Sequence, residues 1–361
     1  MPDAAASPPA PTGTAEPTGT ATPTGTTGPT GTAKPTGTDE QRRPPVPPAH
    51  GPSARSTGQP GAGWRIRTAR PDDAPGVVAL RSLVHPYLVR GVASTRQMIA
   101  QPPPEEDWTA WVAEADGLIV GWASAYRNAH TSVPDFGDVS TLHVHPEHRG
   151  RGIGTALLTA ALDHLAALRV RRVRTWVQTG SLPYAQRHGF TPSRELRYSA
   201  LDLRPAPPMP EPLAGVRLLP LAGLDPYQVH LLDAAAAVGE PGDVPVDATS
   251  YSLWRSECWD NPGLDLEAGT VAEVDGTMVA LSLVKRDGDR MWSDFTATRP
   301  EYRGRGLARL TKQAALHRAA GRGVRTAYTS NDEANAPMLA VNTRLGYRPV
   351  ASAWSCLRGL P

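Results

Sequence analysis

"HPEHRGRGIGTALL" (residues 145–158) sets Gly150, Gly152 and Gly154 two residues apart and then runs into an apolar, helix-forming stretch. Closely spaced glycines let a backbone approach a ligand, and the first turn of the helix that follows presents N–H groups with no intrahelical partner. Those groups and the helix dipole favour an anion such as phosphate. Arg149 and Arg151 add cationic donors. The helix is credible because Leu157, Leu158, Ala161, Leu162, Leu165 and Leu168 fall on one face. The same wording returns as "RPEYRGRGLARLTK" (residues 299–312), with Arg303, Gly304, Arg305 and Gly306 in the loop. Gly321 is the expected C-cap of its helix.

Around each loop the same order of elements recurs at a period of about 155 residues. "WVAEADGLIVGWA" (111–123) and "TVAEVDGTMVALS" (270–282) each read as two strands about an Asp-Gly turn. A further strand, the loop, a helix, another strand and a short helix ending in Gly-Phe (189–190) or Gly-Tyr (346–347) follow. This is a duplicated α/β domain of the α+β type, with a mixed sheet. Residues 1–63 repeat "PTGT" every six residues and hold almost no large apolar side chain, so a disordered Pro/Thr/Gly-rich tail is expected. The proline-rich stretch 204–215 reads as a stiff linker. The expected domains are therefore 64–203 and 216–361.

The whole chain narrows the function. With 361 residues and a formal charge of +2, there is no global case for a nucleic-acid or membrane partner. Cys258 and Cys356 make no disulfide framework, and no CxxC pair offers a zinc site. His143, His145 and His148 straddle a strand end and a proline turn, so no metal is expected there. No secretory leader or membrane-length apolar run is read, and a cytoplasmic location is expected. A P-loop requires Lys-Ser/Thr after the last glycine, and neither copy has it. A Rossmann fingerprint opens its first βαβ unit, whereas this loop follows several antiparallel strands.

Arg149-x-x-Gly152-x-Gly154 and Arg303-x-x-Gly306-x-Ala308 resemble the cofactor loop of the GNAT superfamily of acyl-CoA-dependent N-acyltransferases, over about residues 64–203 and 216–358. The resemblance implies acetyl-CoA, or another acyl-CoA, as co-substrate, and a small-molecule primary amine as acceptor. It implies that backbone N–H groups of Arg149, Gly150, Arg151, Gly152, Ile153, Gly154 and Thr155 hold the pyrophosphate. Arg303, Gly304, Arg305, Gly306, Leu307 and Ala308 would do so in the second copy. Pantetheine would pair with the splayed strand at Leu142 and Val144, and at Thr296 and Thr298. The tyrosine that often protonates the leaving thiolate is absent: its positions are Ala185 and Asn342, with Tyr184 one residue off.

The second copy has the richer acceptor side. Asp294 stands on the strand before the loop as a candidate base. Asn331, Asn335, Met338 and Asn342 step by four, three and four, one face if a helix covers them all. Asp294, Asn335 and Asn342 are thus the candidate catalytic residues, and the second domain is expected to carry the chemistry. Lys312 is expected to be solvated or to face phosphate. In the first copy Asp138 and His143 are the alternatives, and Gln178 stands where the family's asparagine is expected. Competing readings are a non-catalytic acyl-CoA-binding or regulatory protein and a protein or peptide N-acetyltransferase.

Overall fold

The computed structural model describes residues 63–237, 241–247 and 249–361. The expected tail lies outside them, apart from Gly63. The first half runs β1 (Arg65–Thr68), α1 (Ala74–Val84), α2 (Val92–Ala100), β2 (Thr109–Ala115), β3 (Leu118–Arg127) and β4 (Phe136–Val144). The glycine loop leads into α3 (Ile153–Ala167), then β5 (Arg172–Gln178), α4 (Leu182–Arg187) and β6 (Thr191–Asp202). Asp116 and Gly117 take φ of 49° and 76°, the paired positive values a two-residue hairpin needs to match strand twist. Leu157, Ala161 and Leu165 of α3 are fully buried. Each such leucine contributes about 1.5–3 kcal/mol relative to an exposed one.

The second half repeats the order: β7 (Val216–Pro220), α5 (Pro226–Ala236), α6 (Tyr251–Trp254), β8 (Thr270–Val274), β9 (Thr277–Asp287) and β10 (Arg290–Thr298). After the second loop come α7 (Leu307–Gly321), β11 (Thr326–Asp332), α8 (Ala336–Arg344) and β12 (Arg348–Gly359). Asp275 and Gly276 turn as Asp116 and Gly117 do, with φ of 47° and 77°. Gly321 is still helical; the left-handed residue that ends α7 is Gly323, at φ 90°. The proline-rich stretch is held on α7, where Gln313 Nε2 and His317 Nδ1 reach the carbonyls of Pro208 and Pro207.

All twelve strands form one sheet, in the order β1-β2-β3-β4-β5-β12-β6-β11-β10-β9-β8-β7. The last strand of each half has been exchanged. β12 pairs with β5 of the first half, β6 pairs with β11 of the second, and β6 and β12 pair with each other. The sheet therefore does not divide at residues 204–215. The exchange covers the strand edges that β5 and β11 would otherwise expose. Ion pairs lock the seam: Arg197 grips Glu333 at 2.6 and 2.7 Å, and His130 Nε2 meets Glu257 at 2.9 Å.

Glu106 sits at this seam, 1% exposed, with Oε1 lacking a hydrogen-bond partner. Burial, with Glu257 and Asp138 nearby, pushes its carboxyl up from 4.5 to about 9. The folded chain then keeps a proton that the unfolded chain loses, so stability falls as pH rises from 4.5 through about 9. Glu106→Gln mimics the neutral form. It is expected to raise stability by about 2 kcal/mol near pH 8 and to match the parent chain near pH 4. Thermal denaturation at the two pH values checks this; equal melting temperatures near pH 8 would refute it.

Candidate active site

β4 and β5 are hydrogen-bonded in parallel only where Phe136–Val139 faces Arg172–Thr175. Thr175 Oγ1 closes that paired stretch by donating to Val139 O at 2.9 Å. A bulge at Ser140 then turns β4 away, although it remains paired with β3 as far as Val144. The stretch Leu142–Val144 therefore borders a V-shaped gap. β10 and β11 part in the same way after Trp292 and Tyr328, leaving Thr296 and Thr298 beyond the fork. Both expected splays are present.

The loops at the mouths of the two forks are nearly superimposable in chemistry. Arg149 Nε donates to Val144 O at 3.3 Å, and Arg303 Nε donates to Thr298 O at 3.1 Å. Each arginine thus ties its loop to the end of the splayed strand. Gly150 and Gly152 take φ of 73° and 84°, and Gly304 and Gly306 both take 78°. A Cβ on Gly150, Gly304 or Gly306 would meet no protein atom within 4 Å, and one on Gly152 would meet only the Trp64 ring at 3.8 Å. Backbone conformation, not protein packing, requires these glycines. The first-turn amides of α3 (Ile153, Gly154, Thr155) and of α7 (Leu307, Ala308) lack intrahelical acceptors, as at any helix start. Arg151 offers its carbonyl to Trp64 Nε1, and the Arg305 guanidinium stacks on Tyr302.

Above the first loop the fork opens into a cavity of about 560 Å³, walled by Leu142, Val144, Trp176, Tyr184 and Phe190. It shares His85, Leu142, Trp176 and Gln178 with a second cavity of about 260 Å³. That cleft lies between the halves: Tyr87 and Tyr198 come from the first, Lys285, Trp292 and Asp294 from the second. At the junction His85 Nδ1 lies 3.1 Å from Tyr87 Oη and 2.8 Å from Gln178 Nε2, and its ring is 4.5 Å from that of His143. Burial, then Arg149 and Arg81, push the His85 imidazole down to about 4. Burial, helped by His85 and Arg81, pushes His143 well below its usual value. Both rings are neutral at neutral pH.

Tyr184 reaches the site although it is one residue from the expected position. Its hydroxyl is buried at the first turn of α3, 3.4 Å from where a Cβ on Gly154 would stand. Thr155 lies beside it without a well-formed hydrogen bond. Burial raises the phenol above its usual value, so it keeps its proton. Ala185, the expected position, is core.

Several expected site residues have other work. Asp294 pairs with Lys285 Nζ at 2.7 Å and faces the cleft it shares with first-half residues. Asn335 is the N-cap of α8, its side chain accepting from Met338 N at 3.3 Å. Asn331 lies on β11, so the four-three-four series is not one helix face; Asn342 is buried and donates to Asn331 Oδ1, clasping α8 to β11. Asp138 is buried below the fork, bound at 2.7 Å to both Arg174 and Asn128, and lines neither cavity. Lys312 is not solvated. It is 2% exposed, 3.5 Å from Thr329 Oγ1 and over the Tyr347 ring, while Tyr347 Oη meets Ser293 Oγ at 2.9 Å. By strand and helix register Lys312 and Ser293 stand where the first half has Leu158 and Val139, and Tyr347 where it has Phe190, while Thr329 matches Thr175. The base of the second fork is thus more polar than that of the first. His85, Tyr87 and Arg81 were not singled out in the sequence, because no spacing links the end of α1 to residues 176–178.

Among the described residues no helix is long and apolar enough to cross a membrane. Glu106, His130 and Glu257 bring three ligand-type atoms within 4.8 Å of one another, at the seam and not among the cavity walls.

Residues 79–190 and 241–347 each match the family model described as Acetyltransferase (GNAT) family. A mycothiol acetyltransferase of a Nocardioides species is 30% identical over 224 residues, 57% of this chain and 75% of that protein. One from Streptomyces bingchenggensis is 30% identical over 247 residues, 65% and 75% of the two chains. Among solved structures, a tandem GNAT protein from the clavulanic acid biosynthesis pathway superimposes with a TM-score of 0.65 at 22% identity, covering 82% of this chain and 98% of that one. A GCN5-related N-acetyltransferase from Sphaerobacter thermophilus gives 0.61 at 22% identity, covering 82% and 95%. These likenesses concern fold.

Proposed function

The chain belongs to the acetyltransferase (GNAT) family, and we propose that it transfers an acetyl group from acetyl-CoA to the primary amine of a small molecule, with the chemistry in the first half. The observation that carries the reading is the continuity of the first fork with the cleft between the halves, through His85, Leu142, Trp176 and Gln178. At the base of the second fork Lys312 and Tyr347 stand where the first has Leu158 and Phe190. The acceptor side therefore moves from Asn335 and Asn342 to the cleft, where Asp294 serves the first half as a wall. The two halves are also the proposed domains, 64–203 and 216–361, completed by exchanged strands. The relatives' name supports acetyl as the group transferred.

The first site fits the co-substrate. Its left-handed glycines leave the loop open to a pyrophosphate, and Arg149 lines the cavity beside the first-turn residues of α3, Ile153, Gly154 and Thr155. The free edge of Leu142–Val144 offers backbone groups to the pantetheine arm. Bound acetyl-CoA supplies an acyl thioester whose thiolate is the leaving group. Tyr184, kept protonated by burial, stands ready to donate to that sulfur. His143, neutral and with Nδ1 unpartnered, accepts the proton the amine sheds as it bonds to the carbonyl carbon, while Gln178 Nε2 donates to His85 Nδ1 and holds that neighbouring ring in place. A 260 Å³ cleft closed by both halves favours a small acceptor over a peptide.

The test is thiol release from labelled acetyl-CoA by the full chain across a panel of small amines. Amine-dependent release with a matching acetylated product is expected. Saturable acetyl-CoA binding with no turnover on any amine would favour an acyl-CoA-binding protein.

A further inference from the structure

The cleft between the halves carries more positive charge than its own carboxylate balances. Arg81, on α1, lines it while only 4% exposed. Its Nη1 donates to Arg90 O at 3.0 Å and to Thr95 Oγ1 at 3.4 Å, both neutral acceptors. Among the described residues no carboxylate lies within ion-pair distance of its guanidinium. The nearest acid acting on it, Asp287, is engaged by Arg290. A buried cation without a counter-ion is costly and is kept where something compensates it. Arg90 and Lys285 line the same cleft, and the sole acid in its lining, Asp294, is taken by Lys285. Arg90 is exposed and makes no ion pair among the described residues; its one side-chain partner is the Met98 sulfur.

We propose that the acetyl acceptor is an anionic amine, whose carboxylate or phosphate binds among Arg81, Arg90 and Lys285 while its amino group reaches His85 at the mouth of the fork. This rests on the N-acetyltransferase reading above. The size of the cleft limits the acceptor to a small molecule, and Tyr87, Tyr198 and Trp292 wall it with aromatic faces. The same cations serve the chemistry. A positive field disfavours the protonated form of a nearby amine, so the bound acceptor presents its free base. Burial and the neighbouring Arg90 already push Arg81 itself down to about 9; an anion against it would reverse that.

Three probes of matched length test the proposal: ethanolamine, β-alanine and O-phosphoethanolamine. The full chain is expected to acetylate one anionic probe with kcat/KM on the order of 10-fold to 100-fold above ethanolamine, the worth of a charge-assisted contact. Which anion wins separates a carboxylate from a phosphate acceptor. Arg81→Met keeps the aliphatic stem, and Lys285→Met is a second, less buried change. Each is expected to erase most of the anionic preference through KM, with acetyl-CoA affinity retained. Calorimetry with the anionic probes reads the site without turnover. Ethanolamine used as well as the anions, or a preference unmoved in both variants, would overturn the anion site while leaving the transferase intact. Anion binding that is lost in both variants, with no amine ever acetylated, would instead overturn the transferase reading. No anion binding at all in the parent chain would overturn the proposal.

Discussion

Gly152→Val is expected to abolish amine-dependent turnover and acetyl-CoA binding at the first fork, while Gly306→Val leaves turnover within about threefold. Both glycines are left-handed N-caps, so valine imposes a similar backbone cost at each, on the order of 1–3 kcal/mol. A domain stabilised by about 5–15 kcal/mol survives that. The Cβ added at 152 meets no protein atom nearer than the Trp64 ring at 3.8 Å, so the damage is expected to fall on whatever the loop is shaped to hold. The difference between the variants comes from what stands behind each loop. The first leads to a fork continuous with the cleft between the halves; the second has Lys312 and Tyr347 at its base, where the first has Leu158 and Phe190. Turnover, calorimetry with acetyl-CoA and circular dichroism together decide it. Equal losses would mean two working sites, and loss from Gly306→Val alone would return the chemistry to the second half.

Tyr184→Phe is expected to lower kcat on the order of 10-fold to 100-fold with little change in acetyl-CoA affinity. The hydroxyl is the one polar group that the fold buries at the start of α3 without satisfying it. Removing it costs no protein hydrogen bond, so stability is expected to hold or rise slightly. A role confined to packing would move neither kcat nor its pH profile. A proton donor would show an alkaline limb, above the usual tyrosine range, that the phenylalanine variant lacks. Unchanged kcat would remove Tyr184 from the reaction.

The residues that misled a linear reading did so for identifiable reasons. The asparagine series from 331 to 342 has helical spacing, but Asn335 is an N-cap, so its side chain ends the very periodicity it suggested. Lys312 reads as a surface charge because lysines are rarely buried; it lies on the inward face of α7, where the first half has Leu158. Asp138 and Asp294 both look like strand carboxylates before a loop. Only the register separates them: Asp138 lies in the paired part of β4, against Arg174, while Asp294 lies in the bulge of β10.

The amino-acid sequence alone determined the duplicated α/β plan, the Asp-Gly hairpins, the two glycine loops with their helices, and the family they resemble. Each of these is written in contiguous residues, through backbone conformations that only glycine or a two-residue turn permits and through apolar periodicities that belong to one element. Tertiary structure decided the exchange of β6 and β12 and hence the shared seam, and it joined the first fork to the cleft between the halves. It also built the cleft between the halves, which joins Arg81 and His85 to Lys285 and Asp294 across some two hundred residues of chain. Such a site depends on side chains that meet only after both halves have packed, and their energetic coupling leaves no period or spacing in the chain to be read.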